Sequence, residues 1–255
     1  MRCRDGADVV RASLRGAGGA ADVLRAAPRG DAARWRAAVP PEFEFTVKAW
    51  QLITHEAKSP TYRRLRTPLS ADERAEAGGF RWTPVVARAW ETTVGCAEIL
   101  GASAILLQCP ASFRPSGSAV ARLREFCFRA HRPAGVRLVW EPRGPWPDEL
   151  VRELCEELDL THAADPFLRV SLTPTAYYRL HGITGARHVY TDDELARLDG
   201  IVGAGPAYVM FNNLPRAADA ERFRRLAHPE SGDSGAGRRG AGSPARTSVS
   251  GVRGG

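Results

Sequence analysis

Groups that can hold an anion, move a proton or share a cation recur in this chain at the ends of short apolar runs. Six runs read as strands: 43–48, 104–108, 136–140, 160–164, 176–180 and 207–211. They lead into Lys48, Gln108, Glu141 with Arg143, Asp165, Arg179 with His181, and Asn212 with Asn213. Glu141 and Asp165 are candidates for acid–base work or for a divalent cation, since neighbouring carboxylates can share a proton or a metal. The alternative is a structural ion network with Arg143 and Arg179. His181 and His55 are the histidines placed for proton transfer; the plainer reading of each is a hydrogen-bonded filler. Lys48, Arg143 and Arg179 suit a phosphate or carboxylate, which a guanidinium grips with two parallel hydrogen bonds. Asn212 and Asn213 end the last strand, where amides suit sugar or base hydroxyls; the plainer reading is that one of them closes the turn by bonding backbone, and Asn212 is the one assigned to the ligand, with Gln51 and Gln108. The spacing is not a compact metal motif, so no residue is assigned as a metal ligand, and a divalent metal stays an open cofactor. His131, His162, His188 and His228 read as structural or solvated.

Strands of one kind separated by helices must position these groups. Phe43, Phe45 and Val47 alternate with Glu44, Thr46 and Lys48, the period of a strand with one buried face. Asp31 caps a short helix through Val39, with Trp35 inward, and Pro40–Pro41 stop it. Thr83-Pro84 starts a helix to Leu100 with Val86, Trp90, Val94 and Ala97 as its apolar stripe. Further helices fall at 118–130, with Val120, Leu123, Phe126 and Cys127 inward, at 147–158, at 192–202 and up to about residue 227. Alternating strands and helices make parallel βα units, and in a βα barrel chemistry sits at the C-terminal ends of the strands. Six rim positions out of six carrying polar groups favours one pocket there. The connection 50–84 holds Ser59-Pro60-Thr61-Tyr62-Arg63-Arg64, a helix near 70–77 capped by Ser70, and Gly78-Gly79. Its length suits a lid. Trp50, Trp82, Trp140 and Tyr62 are pocket wall or core.

Charge is unevenly spread along the 255 residues. The net +7 resides mainly in the ends: residues 1–40 contribute +4, 228–255 contribute +2, and 41–227 only +1. The basic balance is therefore weak support for nucleic-acid binding by the folded part. Tyr62, Arg63, Arg64 and Arg66 are the segment that could touch a nucleic-acid backbone; the plainer reading is a solvated face. The five cysteines form no Cys-x-x-Cys pair, and those at 96, 109, 127 and 155 fall in apolar patterns. They read as reduced core thiols of a cytoplasmic protein, with Cys109 a remote candidate nucleophile. No apolar run reaches membrane-span length and no apolar signal segment opens the chain. Residues 228–255 are mostly Gly, Ser, Arg, Ala and Pro and read as disordered.

Several motifs occur together in a known order. Phe45-Thr-Val-Lys-Ala-Trp-Gln-Leu-Ile-Thr-His55 with Ser59-Pro-Thr-Tyr-Arg63 resembles the YecE-like family, a group labelled a domain of unknown function. Leu107-Gln-Cys-Pro-Ala-Ser-Phe-Arg114, Trp140-Glu-Pro-Arg143, Asp165-Pro166, Tyr178-Arg-Leu-His-Gly182 and Tyr208-Val-Met-Phe-Asn-Asn213 extend the resemblance over about 34–227. It implies a TIM-like (β/α) barrel and a cytoplasmic protein, and carries no activity with it. Family members open with a Gly-Thr-Gly-Trp-like first strand and then a second strand; neither is visible in residues 1–33.

The resulting expectation is an α/β chain of three parts. Residues 1–33 are an atypical Arg/Ala/Gly-rich segment, 34–227 a TIM-like barrel domain with six legible strands, and 228–255 a tail. The expected function is an enzyme working by acid–base or metal-assisted chemistry on a small anionic ligand at the barrel rim. The rivals are a non-catalytic nucleic-acid-binding protein and an inactive or interaction module.

Overall fold

The computed structural model describes residues 2–3, 7–8, 29–65 and 68–227. The tail reading at 228–255, most of the N-terminal segment and the side chains of Arg64 and Arg66 lie outside the described residues. A two-residue antiparallel ribbon, Arg2–Cys3 with Ala7–Asp8, forms a small sheet of its own. The main sheet has six parallel strands in sequential order: β1 (Thr46–Lys48), β2 (Ala104–Gln108), β3 (Arg137–Glu141), β4 (Leu160–Ala164), β5 (Ala176–Leu180) and β6 (Ala207–Phe211). Helix α1 (Arg29–Ala37) precedes it. Helices α2 (Gln51–Thr54), α3 (Ala71–Glu76), α4 (Pro84–Leu100), α5 (Gly117–Arg129), α6 (Asp148–Glu157), α7 (Asp192–Val202) and α8 (Arg216–Ala227) lie between and after the strands.

The alternation of each strand sorts its side chains to two faces. One face meets the helices, where Ile105, Leu107, Leu138, Trp140 and Leu160 join a core with α4, α5 and α6. A second outer cluster joins Tyr178, Leu180 and Val209 to α7 and α8. The other face carries Ala104, Leu106, Val139, Ala163, Tyr177 and Tyr208, with Met210 against them. Bonds across this inner face reveal its curvature. Tyr177 of β5 donates its hydroxyl to Thr46 of β1 at 3.2 Å. Tyr208 of β6 donates to Glu44, just before β1, at 2.9 Å and accepts from Arg137 of β3 at 3.0 Å. Strands four and five places apart touch only if the sheet curls on itself, so the six strands form a curled half-barrel of the TIM-like kind. Among the described residues β1 and β6 share no backbone pairing.

Local chemistry explains the element boundaries. Thr83 caps α4, Pro84 occupies its first turn, and Gly101 ends it in the left-handed region. Ser70 and Glu73 form a reciprocal capping box on α3. Two readings shift. Strand 43–48 shortens to Thr46–Lys48, because its neighbour begins at Ala104, opposite Thr46, and leaves 43–44 without a ladder partner. Helix α1 begins at Arg29, which puts Asp31 in the first turn and makes Ala32 its fully buried residue. On α5 the stripe centres on Ala119, Leu123 and Phe126, with Val120 and Cys127 at its margin. No helix among the described residues is long and apolar enough to cross a membrane.

The connection 50–84 is built into the core rather than laid over it. Leu52, Ile53, Tyr62, Ala77 and Phe80 are buried. Gly78, Gly79 and Phe80 donate their N–H groups to Leu52, Thr54 and Ile53 of the α2 segment. The crossover from β4 to β5 lacks a helix among its residues 165–175. Instead the chain is pinned to His162: Leu172 N–H donates to its Nδ1 at 3.1 Å, Ser171 Oγ to its carbonyl at 2.9 Å, and its own N–H donates to Thr173 Oγ1 at 3.1 Å.

Candidate functional site

Register and alternation place the polar rim. Lys48 pairs in register with inward Leu106, so it faces inward too. Two residues beyond inward Leu106, Val139, Ala163, Tyr177 and Met210 come Gln108, Glu141, Asp165, Arg179 and Asn212, with His181 two further than Arg179. Groups spread from Lys48 to Asn212 in sequence thus converge at the C-terminal ends of the strands.

Glu141 is the hub. Its Oε2 takes an ion pair from Arg179 Nη1, which also donates to Gln108 Oε1 at 3.1 Å. Its Oε1 faces Arg143 Nε at 3.3 Å and His181 Nε2 at 3.2 Å. Glu141 and Arg179 are buried; Arg143 and His181 are more open. Burial works to raise the Glu141 pKa, but Arg179, the His181 hydrogen bond and Arg143 outweigh it and hold the carboxyl down at about 2. Glu141 is therefore held as the carboxylate, and its oxygens face three cationic or N–H partners. Among the described residues no group of three or more His, Cys, Asp or Glu is arranged to hold a metal ion.

His181 is held at both ring nitrogens. Asn212 Nδ2 lies 3.1 Å from Nδ1. An amide nitrogen only donates, so Nδ1 accepts and the ring proton sits on Nε2, facing Glu141. Asn212 is exposed, whereas Asn213 is buried and donates to the His188 carbonyl at 2.8 Å and to Asp219 at 2.6 Å. Of the two amides, Asn213 closes the turn.

Two of the expected acid–base residues take other parts. Asp165 spends both oxygens on backbone: Oδ2 accepts from His181 N–H and Oδ1 from Phe167 N–H, each at 3.1 Å. It positions the His181 loop. His55 is buried, bonds Thr54 Oγ1 through Nδ1 at 2.7 Å, and offers its carbonyl to the Tyr62 hydroxyl at 2.7 Å. Burial, then Lys48 and Arg143, lower its pKa to about 4 against an opposing pull from Glu141. That shift favours the neutral imidazole near pH 7. The same charges that shift it place Lys48, Arg143 and Glu141 in its electrostatic neighbourhood. Gln51 is buried at the start of α2, and its Oε1 has no hydrogen-bond partner among the described residues.

Other candidates resolve as structure. Trp140 lies in the outer core and donates to Cys109 Sγ at 3.2 Å. Burial pushes the Cys109 thiol well up and disfavours the thiolate that a nucleophile needs. Tyr62 is buried, so it is not available to stack on a base. The sequence reading missed Tyr190, whose hydroxyl accepts from Gly182 N–H at 2.9 Å and fixes the turn after His181. Nothing in the spacing marks it, because it returns from eight residues downstream.

Comparison with known proteins agrees with this architecture. A family profile described as "Protein of unknown function DUF72" matches residues 25–237. No curated protein matches the chain. A DUF72 family protein from Enterococcus faecalis V583, solved at 3.10 Å, aligns at TM-score 0.57 and 18% identity, over 83% of this chain and 84% of that one. A DUF72 family protein from Thermotoga maritima MSB8 aligns at TM-score 0.56 and 19% identity, over 85% and 82%. At such identities the structural likeness speaks to fold alone. With the profile covering most of its length and the YecE-like motifs in order along the strand ends, the chain belongs to the DUF72 family.

Proposed function

We propose that the rim is the active site of an enzyme that uses His181 as a general base beside an anionic, phosphate- or carboxylate-bearing substrate. The observation that supports this is the Glu141–His181 pair: a buried carboxylate facing Nε2, with the other nitrogen met by the amide of one exposed residue, Asn212. A substrate hydroxyl or a water that displaces Asn212 would donate to Nδ1. The proton would pass from that oxygen to Nδ1, and the imidazolium would be stabilised by Glu141. Lys48 and Arg143 would hold the anion, Arg179 and Gln108 would fix Glu141, and Asp165 would fix the His181 backbone. The arrangement favours proton transfer over a metal-assisted route, because the Glu141 carboxylate is taken up by guanidinium groups.

The test is turnover on a panel of phosphomonoesters, phosphodiesters and carboxylic esters, followed by variants on any substrate found. His181→Ala should lower kcat by roughly 10²- to 10⁴-fold. Arg143→Ala should act mainly on KM. Turnover that survives His181→Ala unchanged would overturn the assignment.

A further inference from the structure

Six large apolar side chains among the described residues are strongly exposed: Phe128, Leu168, Val170, Ile183, Val189 and Leu214. Isolated exposed apolar residues are ordinary on any surface. Their distribution is not even here. Phe128 alone lies on a helix; the other five lie on the loops that leave β4, β5 and β6.

Those three loops are fastened into one body. Asp165 Oδ2 accepts from His181 N–H at 3.1 Å. The Phe167 ring stacks on Tyr190 at 5.6 Å, and Tyr190 in turn accepts from Gly182 N–H. Leu214 N–H donates to the Ala186 carbonyl at 2.7 Å. Leu168, Ile183 and Leu214 each follow a site residue closely: Asp165, His181 and Asn212. Ile183 sits within a tight turn, closed by Gly185 N–H to the Gly182 carbonyl at 3.0 Å. Gly182 has φ +90°, and a Cβ there would stand 2.1 Å from the Gly185 carbonyl oxygen, so the turn that presents Ile183 tolerates no side chain at its base. Of the rim cations, Lys48 lies on β1 and Arg143 just beyond β3, whereas Arg179 on β5 is engaged by Glu141 and Gln108, and Arg169, Arg187 and Arg216 lie on or beside the apolar loops themselves.

We propose that the mouth is bipartite and that its substrate is an anionic amphiphile. Its phosphate or carboxylate head lies over β1–β3 against Lys48 and Arg143, and an alkyl, acyl or prenyl chain lies across Leu168, Ile183 and Leu214. His181 follows β5, on the apolar side, and its ring reaches across to Glu141 at the end of β3. This rests on the anion-site reading above and names the class of substrate that site takes. Charge alone would select any small anion; the apolar sector selects those with a chain, because each methylene removed from water adds affinity.

The experiment is calorimetric binding to the full chain of inorganic phosphate, then methyl, butyl and hexyl phosphate below their micelle-forming concentrations, with acetate and hexanoate in parallel. Affinity should rise roughly two- to fourfold per methylene, the full burial of one being worth about 0.8 kcal/mol. Ile183→Ser with Leu214→Ser should flatten that series while inorganic phosphate binds as before. Both side chains are exposed, so the pair should fold, and an unchanged thermal midpoint checks this. Equal affinity for phosphate and all its alkyl esters would overturn the amphiphile and leave the anion site standing. So would a chain-length dependence that survives the double variant. Hexanol binding as tightly as hexyl phosphate, with no loss in Arg143→Ala, would show an apolar patch unconnected to the site and overturn the proposal as well. Failure of every anion in the series to bind would remove the anion-site reading and this inference with it.

Discussion

Glu141, His55 and His162 are buried groups whose lowered pKa values couple stability to acid. Glu141 titrates near 2 in the fold against an ordinary value of 4.5, so its contribution is present above pH 4.5 and is lost as pH falls toward 2. That contribution is on the order of 3 kcal/mol. The histidines act earlier. Burial, followed by Arg169, lowers His162 to about 4, with Asp148 and Glu141 opposing, and His55 lies at a similar value. Between pH 4 and 6.5 the unfolded chain therefore binds more protons than the native one, and their stability is lost as pH falls through that window. Urea unfolding measured from about pH 7.5 to about 2.5 should show stability falling in two stages. His162→Asn should shrink the first stage, since an amide oxygen can still accept from Leu172 N–H but does not titrate; an unchanged slope would contradict the assignment. At this scale the residue types at the strand ends were legible in the sequence. Which group takes which was not. Glu141 and Asp165 look alike as carboxylates after strands, yet one meets guanidinium groups and the other meets backbone.

The connection between β1 and α4 shows how a loop becomes core. Gly78 has φ +82° and lies against His55, with an added Cβ only 2.0 Å from the His55 carbonyl oxygen. The contact is backbone, which cannot swing aside. Gly78→Ala should cost more than about 1 kcal/mol in chemical denaturation. Gly117→Ala, at the start of α5 with open space around it, should stay within about 1 kcal/mol of the parent. Equal effects would mean that this approach is not what requires glycine. The Gly78-Gly79 pair was legible as a break, and the Ser70 cap and the Thr83-Pro84 start were legible as helix signals. That the segment between them is anchored on α2 was not, because the anchoring hydrogen bonds run between backbone groups that every sequence possesses. The helix-free crossover after β4 was legible only as a lack of helical period in 165–175.

Curvature decides whether the six strand ends make a site. Tyr177 and Tyr208 bind β5 and β6 to the chain at Thr46 and Glu44, across the inner face. The double variant Tyr177→Phe with Tyr208→Phe removes these bonds while keeping the stacked rings, 5.4 Å apart. Each hydrogen bond is worth about 1 kcal/mol. Amides of Thr46–Lys48 should then exchange with deuterium faster than in the parent, while those of β4, which neither hydroxyl bonds, change little; equal protection of β1 in both proteins would show that the curl is held by other contacts. The sequence by itself determined the parallel α/β class, the position of most strands and helices, and the polar character of the rim, because period, caps and strand ends are local properties. Tertiary structure alone decided that Glu141 is held as the carboxylate and that His181 meets Glu141 at one ring nitrogen and Asn212 at the other. It also joined the three loops that carry five of the six exposed apolar residues. Those outcomes depend on burial and on distances between residues as far apart as Gln108 and Asn212, which only the curling of the sheet brings to one rim.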